Sequence, residues 1–237
     1  MQTITIQHAV LSDLDAVTAL EQQCFPAAEA ASRKAFSIRL RCFPQCFWLA
    51  EKDGQLITMI NGMTTDNRDL TDAMYENTEL YAPDGAWLML FGVATHPDQR
   101  EHGAASRLLS HVIEHMKQQE RRGIVLTCKE TLLPFYGRFG FVSEGVSGSV
   151  HGGAVWYQMR LDFEQELLRC AKTGEECSFY LHGKRYLLYG WRQCDGDYLN
   201  VSDECGTIIW QTPNAGDAAC AAFMDTFLNQ TILSQEG

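Results

Sequence analysis

The segment Phe91-Gly92-Val93-Ala94-Thr95-His96-Pro97-Asp98-Gln99-Arg100-Glu101-His102-Gly103-Ala104-Ala105-Ser106 has the residue types needed to hold a phosphate. Its first part is apolar enough for a strand buried on both faces. It then runs through a loop into a helix whose apolar stripe is Leu108, Leu109, Val112, Ile113 and Met116. Small side chains at 103–106 let backbone amides approach a ligand closely. The first turn of a helix leaves its amides unpaired at the positive end of the helix dipole, where a phosphate is favoured. Arg100, Arg107, Lys129 and Arg138 are available nearby, and residues 93–144 carry 7 basic and 6 acidic side chains in a chain of net charge -11. That is the local relief a polyanion needs. The spacing is neither the P-loop, which needs Gly-Lys-Ser/Thr, nor the Gly-x-Gly-x-x-Gly dinucleotide fingerprint. The same residues would also serve an ordinary strand–turn–helix connection packed closely through small side chains.

A second cluster follows about thirty residues on, at Cys128-Lys129-Glu130-Thr131-Leu132-Leu133-Pro134-Phe135-Tyr136-Gly137-Arg138-Phe139-Gly140-Phe141. Tyr136 carries a phenol there; its alternative use is as a core aromatic beside Phe135 and Phe139. Groups able to exchange protons stand elsewhere: Glu29 after the first helix, His151 before the last strand of the first region, and Asp66, Asp69, Asp72, Glu76 and Glu79 in an acidic stretch. Each would otherwise be a solvated surface residue. Residues 51–92 carry 2 basic and 8 acidic side chains, which favours a cationic amine if they border a pocket and solubility if they do not.

The elements that must position these residues are legible from periodicity. A strand is expected at 4–10, then a helix with Ser12 as N-cap and Leu14, Val17, Leu20 and Cys24 on one face, stopped by Phe25-Pro26. A second helix is expected at 28–41, and a hairpin about Asp53-Gly54 joining strands at 47–51 and 56–62. Residues 66–84 read as a helix or ordered loop. A buried strand at 87–95, a helix at 106–122, a strand at 124–128, a short helix at 132–139 and strands at 141–144 and 154–161 complete the first region. Beyond Leu161 the composition shifts to 5 basic and 12 acidic residues. A helix at 163–172, strands at 178–181, 185–191, 198–201 and 207–211, and a helix at 217–228 would make a small α+β module, so the domains are expected at 1–161 and 162–237.

Arg100-x-x-Gly103-x-Ala105, with Val93-Ala94-Thr95-His96-Pro97 before it, resembles the pyrophosphate loop of the GNAT superfamily of N-acetyltransferases, which bind acetyl-CoA. Pro134-Phe135-Tyr136-x-Arg138-Phe139-Gly140-Phe141 closely resembles its arylalkylamine (serotonin) N-acetyltransferase branch. The resemblance spans roughly residues 3–161. It implies an α/β (α+β) fold with a mixed, mostly antiparallel sheet flanked by helices, splayed between the strands at 87–95 and 124–128 to admit the cofactor. It implies that Val93, Ala94 and Thr95 meet the pantetheine, and that Arg100, Glu101, His102, Gly103, Ala104, Ala105 and Ser106 meet the pyrophosphate. It makes Tyr136 the general acid: amine attack on the thioester expels a thiolate, which a phenol of pKa ~10 can protonate. The two histidines that vertebrate members use as a proton path align with Met89 and Phe91, neither of which can take a proton. Glu29 resembles the glutamate base of insect relatives and is the first replacement, with His151 and the acidic stretch behind it.

The implied function is acetyl transfer from acetyl-CoA to a small primary amine, an arylalkylamine or polyamine. A non-catalytic acyl-CoA sensor and a protein-lysine acetyltransferase are the rivals. An acidic chain is a poor partner for nucleic acid. No stretch approaches the ~18 apolar residues of a membrane span, and the start reads as a strand and not as a signal peptide. Nine cysteines at irregular spacings point to reduced thiols in the cytoplasm and to no metal site. The module at 162–237 could cap the acceptor site, form a homodimer contact, bind a partner or simply pack.

Overall fold

The computed structural model describes residues 4–214 and 216–228. They fall into two compact units, one of residues up to 116 with 123–161, the other of 117–122 with 162 onward.

The first unit is built on a seven-stranded sheet. Its strands are β1 (Ile4–His8), β2 (Phe47–Lys52), β3 (Gln55–Thr65), β4 (Trp87–Thr95), β5 (Gly123–Cys128), β6 (Val142–Val146) and β7 (Tyr157–Asp162), in the order β1-β2-β3-β4-β5-β7-β6. The pairs β1–β2, β2–β3, β3–β4 and β6–β7 are antiparallel, while β4 and β5 run parallel. A parallel pair needs a crossover, and α3 (Ala104–Gln118) supplies it, burying Leu108, Leu109, Val112 and Met116. The helices α1 (Leu14–Cys24) and α2 (Arg33–Cys42) contribute Leu14, Val17, Leu20, Phe36 and Leu40 to a core shared with Phe47, Leu49, Met59 and Ala94. A short helix, α4 (Leu133–Gly137), follows β5.

Two features of the sheet shape what it can hold. The parallel register of β4 and β5 runs from Trp87–Gly123 to Leu90–Leu126 and ends there, so the last residues of the two strands part. On its other edge β4 is bulged: Asn61 faces Gly92 and Gly62 faces Leu90, leaving Phe91 as the extra residue. Gly62 is required at that spot, because a Cβ on it would stand 2.2 Å from the Met89 carbonyl oxygen. The mixed, mostly antiparallel and splayed sheet expected from the sequence is the sheet observed.

Several boundaries differ. Asp13, not Ser12, organises the start of α1, its carboxylate accepting the Val10 amide at 2.8 Å across a 3-10 turn, Leu11–Asp13. The second helix starts five residues later than expected, at Arg33, where Ser32 Oγ accepts the Ala35 amide. Residues 27–31 instead turn, with the Pro26 carbonyl accepting from Glu29 and Ala30. Of the helix or ordered loop expected at 66–84, the structure has the loop, with the 3-10 turns Asp72–Tyr75 and Thr78–Leu80. The crossover helix ends at Gln118, short of the expected 122.

The second unit has its own antiparallel sheet, ordered β11-β10-β9-β8, from β8 (Cys177–Leu181), β9 (Lys184–Gln193), β10 (Gly196–Asp203) and β11 (Ile208–Pro213). With α5 (Phe163–Thr173) and α6 (Asp217–Phe223) it encloses Leu167, Cys170, Phe179, Leu188, Leu199, Val201, Phe223 and Phe227. Asp162 caps α5 by accepting the amides of Glu164 and Gln165. The last helix expected at 217–228 is α-helical through Phe223 and then widens into a π turn, Met224–Leu228.

Candidate active site

Past the bulge, Val93, Ala94 and Thr95 pair with Ile60, Met59 and Thr58 on β3, while their other edge lies beyond the end of the β5 register. The chain leaves β4 through a 3-10 turn, Pro97–Gln99, and reaches α3 at Ala104. Arg100, Glu101, His102 and Gly103 are exposed, Ala104 is buried, and Ala105 and Ser106 are half-buried. Glu101 and Gly103 both take positive φ, +64° and +79°. Those conformations turn the loop so that the head of α3 follows directly, and the amides of Ala104, Ala105 and Ser106 lie in its first turn without intrahelical partners. The Arg100 guanidinium reaches back to the Thr95 carbonyl at 3.4 Å, and the Cys24 thiol donates to the same oxygen at 3.2 Å. This stretch has the small residues, the open amides and the cation that a pyrophosphate requires.

Tyr136 sits on α4, buried among Phe135, Phe141 and the Cys128 end of β5. Burial pushes its phenol well above its ordinary value, with Cys128 adding to the effect. Burial also lifts the Cys128 thiol to about 11. Both groups therefore hold their protons at neutral pH, as a proton donor must.

Three segments that the sequence kept apart come together around Phe91. Tyr75, on the 3-10 turn at Asp72–Tyr75, lies 5.0 Å from the Phe91 ring and stacks on His151 at 5.1 Å. Its ring therefore joins Phe91 on β4 to the His151 loop. The His151 ring donates from Nε2 to the Glu29 carbonyl oxygen at 2.9 Å; the carbonyl can only accept, which fixes the proton on that nitrogen. The Glu29 carboxylate, 9% exposed, pairs with Lys129 at 2.8 Å, and the Lys129 ammonium lies 5.7 Å from the Trp156 ring. Asp72 accepts from the Ser149 hydroxyl at 2.5 Å and the Val150 amide at 3.0 Å, holding the turn against the His151 loop. Two other members of the acidic stretch also serve as ties. Asp66 accepts the Ala86 amide, and Asp69 joins Glu144 on the buried Arg160 guanidinium. Glu76 and Glu79 are exposed.

Beneath this cluster lie two residues that periodicity passed over. Glu21 and Arg39 are each only 5% exposed. Arg39 donates to Asn61 Oδ1 at 2.8 Å and to the Tyr75 carbonyl at 3.2 Å, and its guanidinium lies 4.7 Å from the Phe91 ring centroid. Burial pulls it down to about 10, against the opposing pull of Glu21. Glu21 accepts the Ala31 amide at 2.9 Å; burial raises its carboxyl, and that amide, Arg39 and His151 partly offset the rise. The signal in the sequence was an acid inside the Leu14, Val17, Leu20, Cys24 stripe and a base between Phe36 and Leu40. Met89 is fully buried and Phe91 half-buried, so no histidine-like proton path runs along β4.

A mixed sheet that splays between its central strands is an architecture also found in solved structures. The loading GNATL domain of CurA from Lyngbya majuscula has this fold, at a TM-score of 0.60 and 17% identity over 69% of this chain and 99% of that domain. Residues 14–141, more than half of the chain, match the family model described as Acetyltransferase (GNAT) family, and the chain belongs to that family. It is 31% identical to the serotonin N-acetyltransferase of Mesocricetus auratus over 120 residues, which is 50% of this chain and 54% of that protein. It is 32% identical to that of Macaca mulatta over 95 residues, 40% of this chain and 45% of that protein. The chain thus spans about half the length of the curated relatives it matches. Among the described residues, no helix is long and apolar enough to cross a membrane, and no group of three or more His, Cys, Asp or Glu could hold a metal ion.

Proposed function

We propose that this chain is an acetyl-CoA-dependent N-acetyltransferase acting on a small primary amine, an arylalkylamine or a polyamine. The observation that carries the proposal is the end of the β4–β5 register at Leu90 and Leu126, with the open amides of Ala104–Ser106 following the same strand. In this reading the pantetheine lies along Val93, Ala94 and Thr95, and the pyrophosphate meets Arg100, Glu101, His102, Gly103, Ala104, Ala105 and Ser106. Residues 1–161 carry the transfer, and residues 162–237 form a separate α+β module. Family membership and the named activity of the relatives support the amine as acceptor.

The amine nitrogen attacks the thioester carbonyl carbon, the C–N bond forms and the C–S bond breaks. Tyr136 gives its proton to the departing thiolate and regains one from the nitrogen. An amine arrives at neutral pH as an ammonium and must first lose a proton. Glu29, facing the same cluster as His151 and Tyr75, is the carboxylate proposed to receive it, in exchange for the Lys129 ammonium it holds at rest.

Thermal unfolding with and without acetyl-CoA tests the cofactor. At ~100 times its dissociation constant the ligand should add roughly 2.7 kcal/mol, and an absent shift in well-folded protein overturns the assignment. Free-thiol release with an arylalkylamine, a polyamine and a lysine-containing protein tests the acceptor; modification of protein lysines alone defeats the small-amine reading. A second reading, an acyl-CoA sensor without turnover, is favoured by Met89 and Phe91 on β4. It requires a thermal shift with no thiol release from any acceptor.

A further inference from the structure

The buried pair Glu21–Arg39 has no part in the scheme above, yet it is built like a site. Both side chains are 95% removed from solvent by their 5% exposure. Glu21 Oε2 and Arg39 Nε each lack a hydrogen-bond partner among the described residues. A buried polar atom without a partner costs free energy, and here an acceptor and a donor on charge-coupled residues are both left open. The remaining atoms are committed. Glu21 Oε1 caps Ala31, and the Arg39 terminal nitrogens bond Asn61 and the Tyr75 carbonyl. Those commitments hold Arg39 beside the β4 bulge, since Asn61 is the residue at the bulge and Phe91 lies under the guanidinium.

Resting on the acetyltransferase reading but putting Glu21 in the place it gives to Glu29, we infer that Glu21 is the carboxylate that takes the acceptor ammonium's proton, through a water on its open Oε2. Glu29 lies on the outer side of the same cluster with Lys129 already on its oxygen, so its charge is spent at rest. Glu21 has one oxygen uncommitted. The proton count closes. One proton passes from the ammonium to Glu21, which becomes a neutral acid and returns it to solvent in the next cycle. The second N–H proton of the attacking amine replaces the one Tyr136 gives to the thiolate. The charged or titratable groups acting on Glu21 are Arg39 from α2, His151 from the loop before β7, and Cys24 on its own helix. Burial raises the carboxyl while Arg39 and His151 restrain the rise, so the group is suited to accept a proton above the ordinary carboxylate range.

The experiment is the pH dependence of kcat/KM for wild type, Glu21→Gln and Glu29→Gln with acetyl-CoA and an arylalkylamine. Glu21→Gln keeps the volume and the Ala31 cap. It should retain the acetyl-CoA thermal shift, lose ~10²-fold or more in kcat and abolish the acid limb, while Glu29→Gln keeps that limb. An unchanged limb in active, folded Glu21→Gln, or a limb lost in Glu29→Gln alone, overturns the inference and leaves the acetyltransferase reading intact. Wild type that acetylates no amine overturns both. Should Glu21→Gln show no cooperative melt, the Glu21 carboxyl is titrated in wild type by 13C NMR. Titration above the other glutamates, coincident with the acid limb, supports the role; titration in the ordinary range overturns it.

Discussion

Tyr136 is a buried phenol and the proposed general acid, and burial serves packing and proton retention alike. Packed on Phe135 and Phe141, it fills the space between α4 and β5, and its raised pKa keeps it protonated across the neutral range. Replacing it by phenylalanine removes one oxygen and leaves the ring packing in place. Tyr136→Phe is expected to lower kcat by ~10²–10⁴-fold while the acetyl-CoA-induced rise in melting temperature stays as in wild type. A fall in both would assign the hydroxyl to folding or cofactor binding. Its motif was readable because four aromatic residues follow one proline within 134–141. Glu21 and Arg39 were not, because one charged residue in an apolar stripe does not announce whether its partner is water or another helix.

At the scale of elements, the site depends on irregularities in regular structure. The β4 bulge places Phe91, and the early end of the β4–β5 register separates the strands beyond Leu90. Gly62 makes the first possible by leaving no Cβ against the Met89 carbonyl. Gly62→Ala should therefore cost about 1–3 kcal/mol, as overpacking does, and should reduce kcat/KM beyond what the stability loss explains. Calorimetry and steady-state kinetics on one preparation check both. Unaltered kinetics would show that the bulge does not set the reacting geometry. The strands and the crossover helix were legible because period 2 and period 3.6 are local properties. The turn at 27–31 was not, because alanine-rich sequence favours helix. There the Ser32 cap and the Pro26 carbonyl bonds set the boundary.

At the scale of the whole molecule, each of the two units carries its own core. In the second unit Phe223 is fully buried, its ring 5.7 Å from Phe179 and 5.3 Å from Phe227. Phe223→Ala is expected to cost about 3–5 kcal/mol in the unfolding of that unit. The thermal shift given by acetyl-CoA should persist in the variant; its loss would show that cofactor binding requires the second unit's core.

Much was determined by sequence alone. The order of elements in residues 4–161, the small-residue loop at 100–106 and the tyrosine motif all follow from short-range pattern, and so does the family they resemble. Only the tertiary structure linked Phe91, Tyr75, His151, Glu29 and Asp72 through ring and hydrogen-bond contacts, or buried Glu21 and Arg39. These residues lie as far as 122 positions apart, in the case of Glu29 and His151. Their meeting depends on loop closure and on the packing of α1 and α2 over β3 and β4. A periodicity or a motif records neither.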